Sequence, residues 1–337
     1  MKAFFRHIPK IAIRCAIVLA YCATNLYADT LPVVRVAVLQ FGTVNWELDV
    51  IRHHEYDREY GFTLEVVPLS SKNAVNVALQ GGAADVIVND WIWVSRQRDQ
   101  NKFYTFVPYS LAVGELIAHP DSGINNVTDL VGKKLGIAGG PVDKSWLTLR
   151  AYAMTTLNLD LTKGVTTQFA APPLLNELIK RGELDAVLNF WHYTARLKAT
   201  GMHSVIAVKT MLSEFRIEQP VPLLGWVFHE DWATENDAVI NGFLQASYRA
   251  KKTLLQSDDE WARLRPLMKV DDDHIAQTLR DAYRDGIPRQ FGEAEQTGAA
   301  KVFELLAQQG GAELTGSSTT LNPGTFWNKF DVKLPNE

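Results

Sequence analysis

Cysteine is nearly absent from this chain. Its 337 residues include two, Cys15 and Cys22, and both lie between Met1 and Ala28. Beyond Ala28 there is no thiol, so the rest of the chain has no disulfide framework, no cysteine nucleophile and no thiolate-held metal. Long apolar runs are missing as well. No stretch past the first segment reaches the roughly eighteen residues that a membrane-crossing helix needs. Positive charge is not in excess either: 34 Lys and Arg stand against 38 Asp and Glu, a net of −4. An acidic protein has no electrostatic reason to bind nucleic acid or anionic lipid. The common catalytic signatures are absent too: no GxSxG, no HExxH, no Walker A loop, and no GxGxxG after the first strand. The histidines and lysines are scattered rather than convergent. His53-His54 reads as an exposed pair in the middle of a helix, and Asp271-Asp272-Asp273-His274 reads as an acidic helix start. No catalytic residue, metal or cofactor is expected, and the protein is read as a non-enzyme.

What is present is a globular composition, 47% hydrophobic and 21% charged, at a length that suits two lobes of ordinary size. The segment Met1–Ala28 stands apart. Lys2, Arg6, Lys10 and Arg14 precede a short apolar core, Cys15 to Tyr21, and Ala28 is a suitable last residue before cleavage. This is the layout of a secretory signal peptide. Its removal takes away four basic residues and no acidic ones, so the net charge becomes −8.

From Asp29 onward short β-like runs alternate with helical ones. Val33–Leu39 reads as a strand, Val44–Tyr60 as a helix, Phe62–Val67 as a strand, Asn73–Gln80 as a helix stopped by Gly81-Gly82, and Asp85–Val88 as a strand. That order implies a parallel sheet covered by helices. Leu111–Ala118 reads as a strand crossing into a second unit, where the scheme repeats. There Lys134–Ala138, Val165–Phe169 and Ala186–Phe190 are the strands, and Ser145–Leu157 and Leu174–Arg181 the helices. After Val208 the chain is read as returning to the first unit through a strand at Leu223–Phe228. Helices follow at 238–255, 258–267, 272–285 and 293–309, and then a polar tail. The repeat shows in the letters: Gly82, Asp85, Asn89 and Trp91 correspond to Gly182, Asp185, Asn189 and Trp191.

In open parallel sheets a ligand sits beyond the C-terminal ends of the strands. That rule selects Gln40 and Phe41, Ser70 and Ser71, Asp90 and Trp91 in the first unit. In the second it selects Gly139, Asp143 and Ser145, then Asn189, Trp191 and His192. These loops are rich in small polar residues and tryptophan and poor in acid–base pairs, the make-up of a small-molecule cleft rather than a catalytic centre. Trp91 and Trp191 are expected to face each other across it. Two readings of Ser70, Ser71 and Asp143 stand: helix N-caps, or groups that hydrogen-bond a solute. Asp85 and Asp185 read as turn-fixing residues.

Four segments, Ala78–Asp90, Asp129–Gly140, Asn176–Trp191 and Trp226–Ala250, resemble in content and order the nitrate/sulfonate/taurine-type ABC substrate-binding proteins, a group whose relatives include binders of thiamine-precursor pyrimidines. The resemblance implies an α/β chain with the type II periplasmic binding protein fold: two Rossmann-like lobes with hinge crossovers. The expected divisions are a signal peptide (1–28), lobe I (29–112 and 212–310), lobe II (113–211) and a C-terminal tail (311–337). The resemblance also implies a monomer in the periplasm that captures a small organic solute and docks on an ABC permease in the inner membrane. The expected solute is sulfonate-, amine- or pyrimidine-like. A periplasmic accessory or sensor role, and less favourably a pyrimidine-forming enzyme, are the alternatives on the same fold. The first loop carries no basic residue. Lys72, Lys144 and Arg216 are the nearby cations, and Asp90 and Glu115 the nearby acids.

Overall fold

The computed structural model describes residues 31–334, so the signal-peptide reading lies outside the described residues. Two five-stranded mixed sheets organise them. The first contains β1 (Val33–Leu39), β2 (Thr63–Leu69), β3 (Val86–Asp90), β4 (Tyr104–Ser110) and β10 (Leu224–His229), in the order β2-β1-β3-β10-β4. The second contains β5 (Glu115–Ala118), β6 (Lys134–Ile137), β7 (Thr166–Phe169), β8 (Ala186–Asn189) and β9 (His203–Ala207), in the order β7-β6-β8-β5-β9. In each sheet the first three strands run parallel, and the strand beside them is antiparallel. The central strands are apolar along nearly their whole length because helices cover both faces.

The internal repeat is a repeat of hydrogen bonds. The Asp85 carboxylate accepts from the backbone N–H of Arg35, and the Asp185 carboxylate accepts from that of Lys134, each tying two parallel strands at their starts. Asn89 Nδ2 donates to Asn76 Oδ1 at 2.8 Å, and Asn189 Nδ2 donates to Asn176 Oδ1 at 2.9 Å. Each of these strand-end asparagines also accepts from the next backbone N–H. The same side chains at the same places lock strand to helix in both lobes.

Several elements differ from the sequence reading. The long helix expected over Val44–Tyr60 breaks into Val44–His53 and Tyr56–Glu59, because Glu55 takes a left-handed conformation. Two strands, β4 and β9, lie outside the expected set. β4 contains Pro108, which an edge strand tolerates, and β9 is short and only half-buried. Within the 111–118 run only Glu115–Ala118 pairs. Leu111–Gly114 is the crossing segment, so close to lobe II that a Cβ on Gly114 would overlap the Asn189 carbonyl oxygen. The last helix, Glu293–Thr315, runs past Gln309 through a kink at Gly311. The polar tail is pinned to lobe I: Trp327 N–H donates to the Phe106 carbonyl at 2.9 Å, and Phe326 bridges Phe106 in parallel register. The tail thereby covers the exposed edge of β4.

A charge lies buried in lobe I. The Glu47 carboxylate is ion-paired with Lys251, and both side chains are buried. Tyr283 Oη donates to Glu47 at 2.9 Å and Ser247 Oγ at 2.5 Å, while the Lys251 ammonium sits 4.0 Å from the centre of the Tyr109 ring. A buried carboxylate tolerates desolvation only when its lone pairs are used, and here three donors converge on it. Replacing Lys251 by Met strands Glu47 and should cost about 3–5 kcal/mol of stability in urea unfolding. A loss below about 1 kcal/mol would contradict the assignment of this pair as a matched buried network.

Candidate functional site

The C-terminal ends of β3 and β6 meet across the lobes. Asp90 closes β3 and caps the helix Trp91–Asp99, its Oδ1 accepting from Trp93 N–H at 2.8 Å. Its Oδ2 is taken by two ammonium groups: Lys72 at 2.8 Å from its own lobe and Lys144 at 2.9 Å from the other. Burial alone would raise the Asp90 pKa, but Lys144 and Lys72 together hold it well below the usual carboxylate range. Burial depresses the Lys144 ammonium despite Asp90, whereas at the half-exposed Lys72 the attraction of Asp90 outweighs burial and raises the pKa. Asp143 caps the helix Lys144–Leu157 through Ser145 N–H at 2.9 Å and Trp146 N–H at 3.2 Å, and burial pushes its own pKa up. Gly139 must be glycine here. Its φ is +82°, and a Cβ would lie 2.5 Å from an Asp143 carboxylate oxygen.

The second feature is a cavity of about 560 Å³ at the junction of the lobes. The crossing segments Leu111–Val113 and 217–221 bound it. Trp191 and Ala195 from lobe II, and Ala282 and Gly286 from lobe I, line it further. Its charged groups are of both signs: Glu115, Glu218 and Asp285 with Lys198 and Lys209. Glu115 is held by Lys198 at 2.5 Å and Ser204 Oγ at 2.6 Å. Trp191 belongs to an aromatic wall, with Trp46 edge-on at 6.0 Å and Tyr283 at 6.3 Å. The volume lies within the range of small-molecule sites.

The structure sorts the residues chosen from sequence. Ser71 and Asp143 are helix N-caps, and Asp90 is both a cap and the interlobe carboxylate. Gln40, Phe41 and Ser70 lie at the strand ends, Gln40 and Phe41 exposed and Ser70 open to solvent beside Ser71, and Ser145 is half-buried beside Asp143. Asn189 is spent on the strand–helix lock, donating to Pro172 O and Asn176 Oδ1, so it is scaffold rather than a solute contact. Trp91 is a correction. It is fully buried in lobe I between Phe303 and Phe326, and its Nε1–H donates to Pro222 O at 2.9 Å. It faces neither Trp191 nor the cavity. The difference between the two repeat tryptophans comes from what covers them: the 293–315 helix and the tail over Trp91, the open lobe junction beside Trp191. His192 is a correction of a different kind. Among the described residues neither ring nitrogen finds a hydrogen-bond partner, both are shielded from solvent, and the ring is absent from the cavity lining. Glu115, Lys144 and Lys72 stand out from sequence as nearby charges. Lys198, Lys209 and Asp285 do not, since nothing local in the sequence brings them together.

The family model described as NMT1/THI5 like matches residues 52–260, more than half of the chain. The chain belongs to the NMT1/THI5-like family. A search of curated proteins finds no match to it. Among solved structures, this NMT1/THI5-like protein is similar in fold to the periplasmic aliphatic sulphonate binding protein SsuA from Escherichia coli. Identity is 17%, the TM-score is 0.68, and the match covers 90% of this chain and 94% of that one. It is also similar to the alkanesulfonate-binding protein SsuA from Xanthomonas axonopodis pv. citri bound to MOPS, at 13% identity, a TM-score of 0.66 and coverage of 88% and 98%. The periplasmic nitrate-binding protein NrtA from Synechocystis PCC 6803 follows at 11% identity, a TM-score of 0.56 and coverage of 74% and 69%. These likenesses confirm the α/β binding-protein fold expected from sequence. Among the described residues of the NMT1/THI5-like chain, no helix is long and apolar enough to cross a membrane.

Burial, with a smaller contribution from Arg196, lowers the His192 pKa from 6.5 to about 3. In the unfolded chain the ring takes up a proton near 6.5, while in the folded protein it stays neutral. His192 therefore withdraws stability as the pH falls from about 6.5 toward 3, and costs nothing above that window. His192→Leu should flatten the loss of urea stability between pH 7 and pH 5. An unchanged pH slope would show that the ring is not buried neutral.

Proposed function

We propose that this protein is the periplasmic solute-binding component of an ABC importer. It captures a small organic solute between its lobes and presents the closed form to an inner-membrane permease. The observation that carries this reading is the cavity at the lobe junction, walled by Trp191 and by both crossing segments. A space bounded by the segments that connect two lobes changes shape when the lobes move, so an occupant that fits the closed shape better stabilises that state. Membership of the NMT1/THI5-like family supports the reading, as do structural neighbours whose names describe periplasmic sulfonate- and nitrate-binding proteins. The signal-like segment Met1–Ala28 fits export.

The lining favours a solute with a flat or apolar face against Trp191 and polar ends. Acids and bases are both present, which suits a neutral heteroaromatic such as a pyrimidine, or an amine balanced by an acidic group, better than a bare anion. A sulfonate would instead call on Lys72 and Lys144, which share the Asp90 carboxylate and lie outside the cavity lining.

A thermal-shift screen of small sulfonates, amines, carboxylic acids and pyrimidines tests the proposal. A solute present at about a hundred times its dissociation constant adds about 2.7 kcal/mol. Trp191→Ala should then weaken that solute at least tenfold in calorimetry with the circular dichroism spectrum intact. Failure of every solute class, or full affinity in Trp191→Ala, would overturn the site.

A further inference from the structure

We propose that lobe I carries a surface site for a divalent transition-metal ion, of the zinc type, built from His53, His54 and Glu260. Their donor atoms all lie within 4.8 Å of one another. His54 Nε2 is already 3.0 Å from Glu260 Oε2. A tetrahedral ion with ligands at about 2.0–2.1 Å needs donors about 3.3–3.4 Å apart, so side-chain rotation of roughly 1 Å closes the set. Two imidazoles and a carboxylate are a donor set suited to Zn²⁺, with a fourth position left to water.

The local structure prepares this set. His53 is the last residue of its helix and His54 is the C-cap, so both stand at the negative end of the helix dipole, which favours a cation. The left-handed turn at Glu55 ends the helix there and leaves the two rings edge to face at 4.9 Å. The His54 ring is stacked on Tyr56 at 5.2 Å, which fixes its plane. Both histidines are exposed, so an ion reaches them without opening the fold. Glu260 comes from the helix Asp258–Met268, and Arg263 grips its Oε1 with two bonds of 2.6 and 2.8 Å, leaving Oε2 for the site. The Arg263 charge is in turn matched by Asp49 at 2.6 Å, which limits its repulsion of a bound ion.

Occupancy would staple the first helix of lobe I to the C-terminal helical cap, joining segments from opposite ends of the chain. The site is separate from the interlobe cavity, whose lining contains none of the three residues. It stands or falls independently of the solute reading.

The test uses chelator-treated, tag-free protein titrated with ZnCl₂ by calorimetry and with CoCl₂ by visible absorption. The expected result is one ion per chain at micromolar affinity, with the intense visible bands of four-coordinate cobalt. Both should weaken at least tenfold in His53→Ala and in His54→Ala. His53→Ala alters an exposed side chain that makes no hydrogen bond to the described residues, so its fold should be intact by circular dichroism. No binding at 100 µM of the probe ion, or undiminished binding in His53→Ala, would overturn the proposal.

Discussion

The Asp90 carboxylate is buried, capped to its own helix, and gripped by ammonium groups from both lobes. A carboxylate so placed is stable only while its charge is answered. Lys72 answers it from within lobe I, and Lys144 can do so only while the lobes are together. Separating them costs Asp90 one of its two ammonium partners, while Lys144, whose ammonium burial disfavours, regains solvent in partial compensation. At the strand tips the two lobes are thus joined by a single buried carboxylate. Gly139 and Asp143 place the Lys144 helix where that contact can form.

The lobes also meet through helices. Ala195 and Trp191 of lobe II pack into the lobe I core with Tyr283, and Leu147 of lobe II packs with Phe303 and Leu306 of the last helix. The Arg196 guanidinium donates to Met268 O at 2.9 Å, another bond between lobes. The C-terminal helices therefore serve as more than a cap on lobe I, because they form the floor on which lobe II rests. The cavity is what remains between this floor and the crossing segments. On the proposed reading, a solute in this cavity would contact the same segments that join the lobes.

Much of the architecture is legible in the sequence, for physical reasons. Strands buried on both faces appear as apolar runs, and Ser71 and Asp143 announce their helices by cap chemistry. The paired Gly, Asp, Asn and Trp positions betray a duplicated strand–helix lock. The fate of the two tryptophans is not legible. Trp91 and Trp191 occupy equivalent helix starts, and what differs is the long-range cover of the 293–315 helix and the tail. Lys198, Lys209 and Asp285 join Glu115 only through the crossing geometry. His53 and His54 look like an idle pair in the sequence because Glu260 lies far along the chain. Pro108 hides β4, since it reads as a breaker until the strand is seen at a sheet edge.

The central claim is that the two lobes close on a solute. The most direct measurement is the distance between spin labels on the exposed positions Val77→Cys and Leu174→Cys, one on each lobe, in a chain that starts at Asp29 and hence has no other cysteine. A stabilising solute should narrow the distance distribution onto its short component, and Lys144→Met should broaden it toward longer distances. A single distance unmoved by any solute and by Lys144→Met would contradict the account.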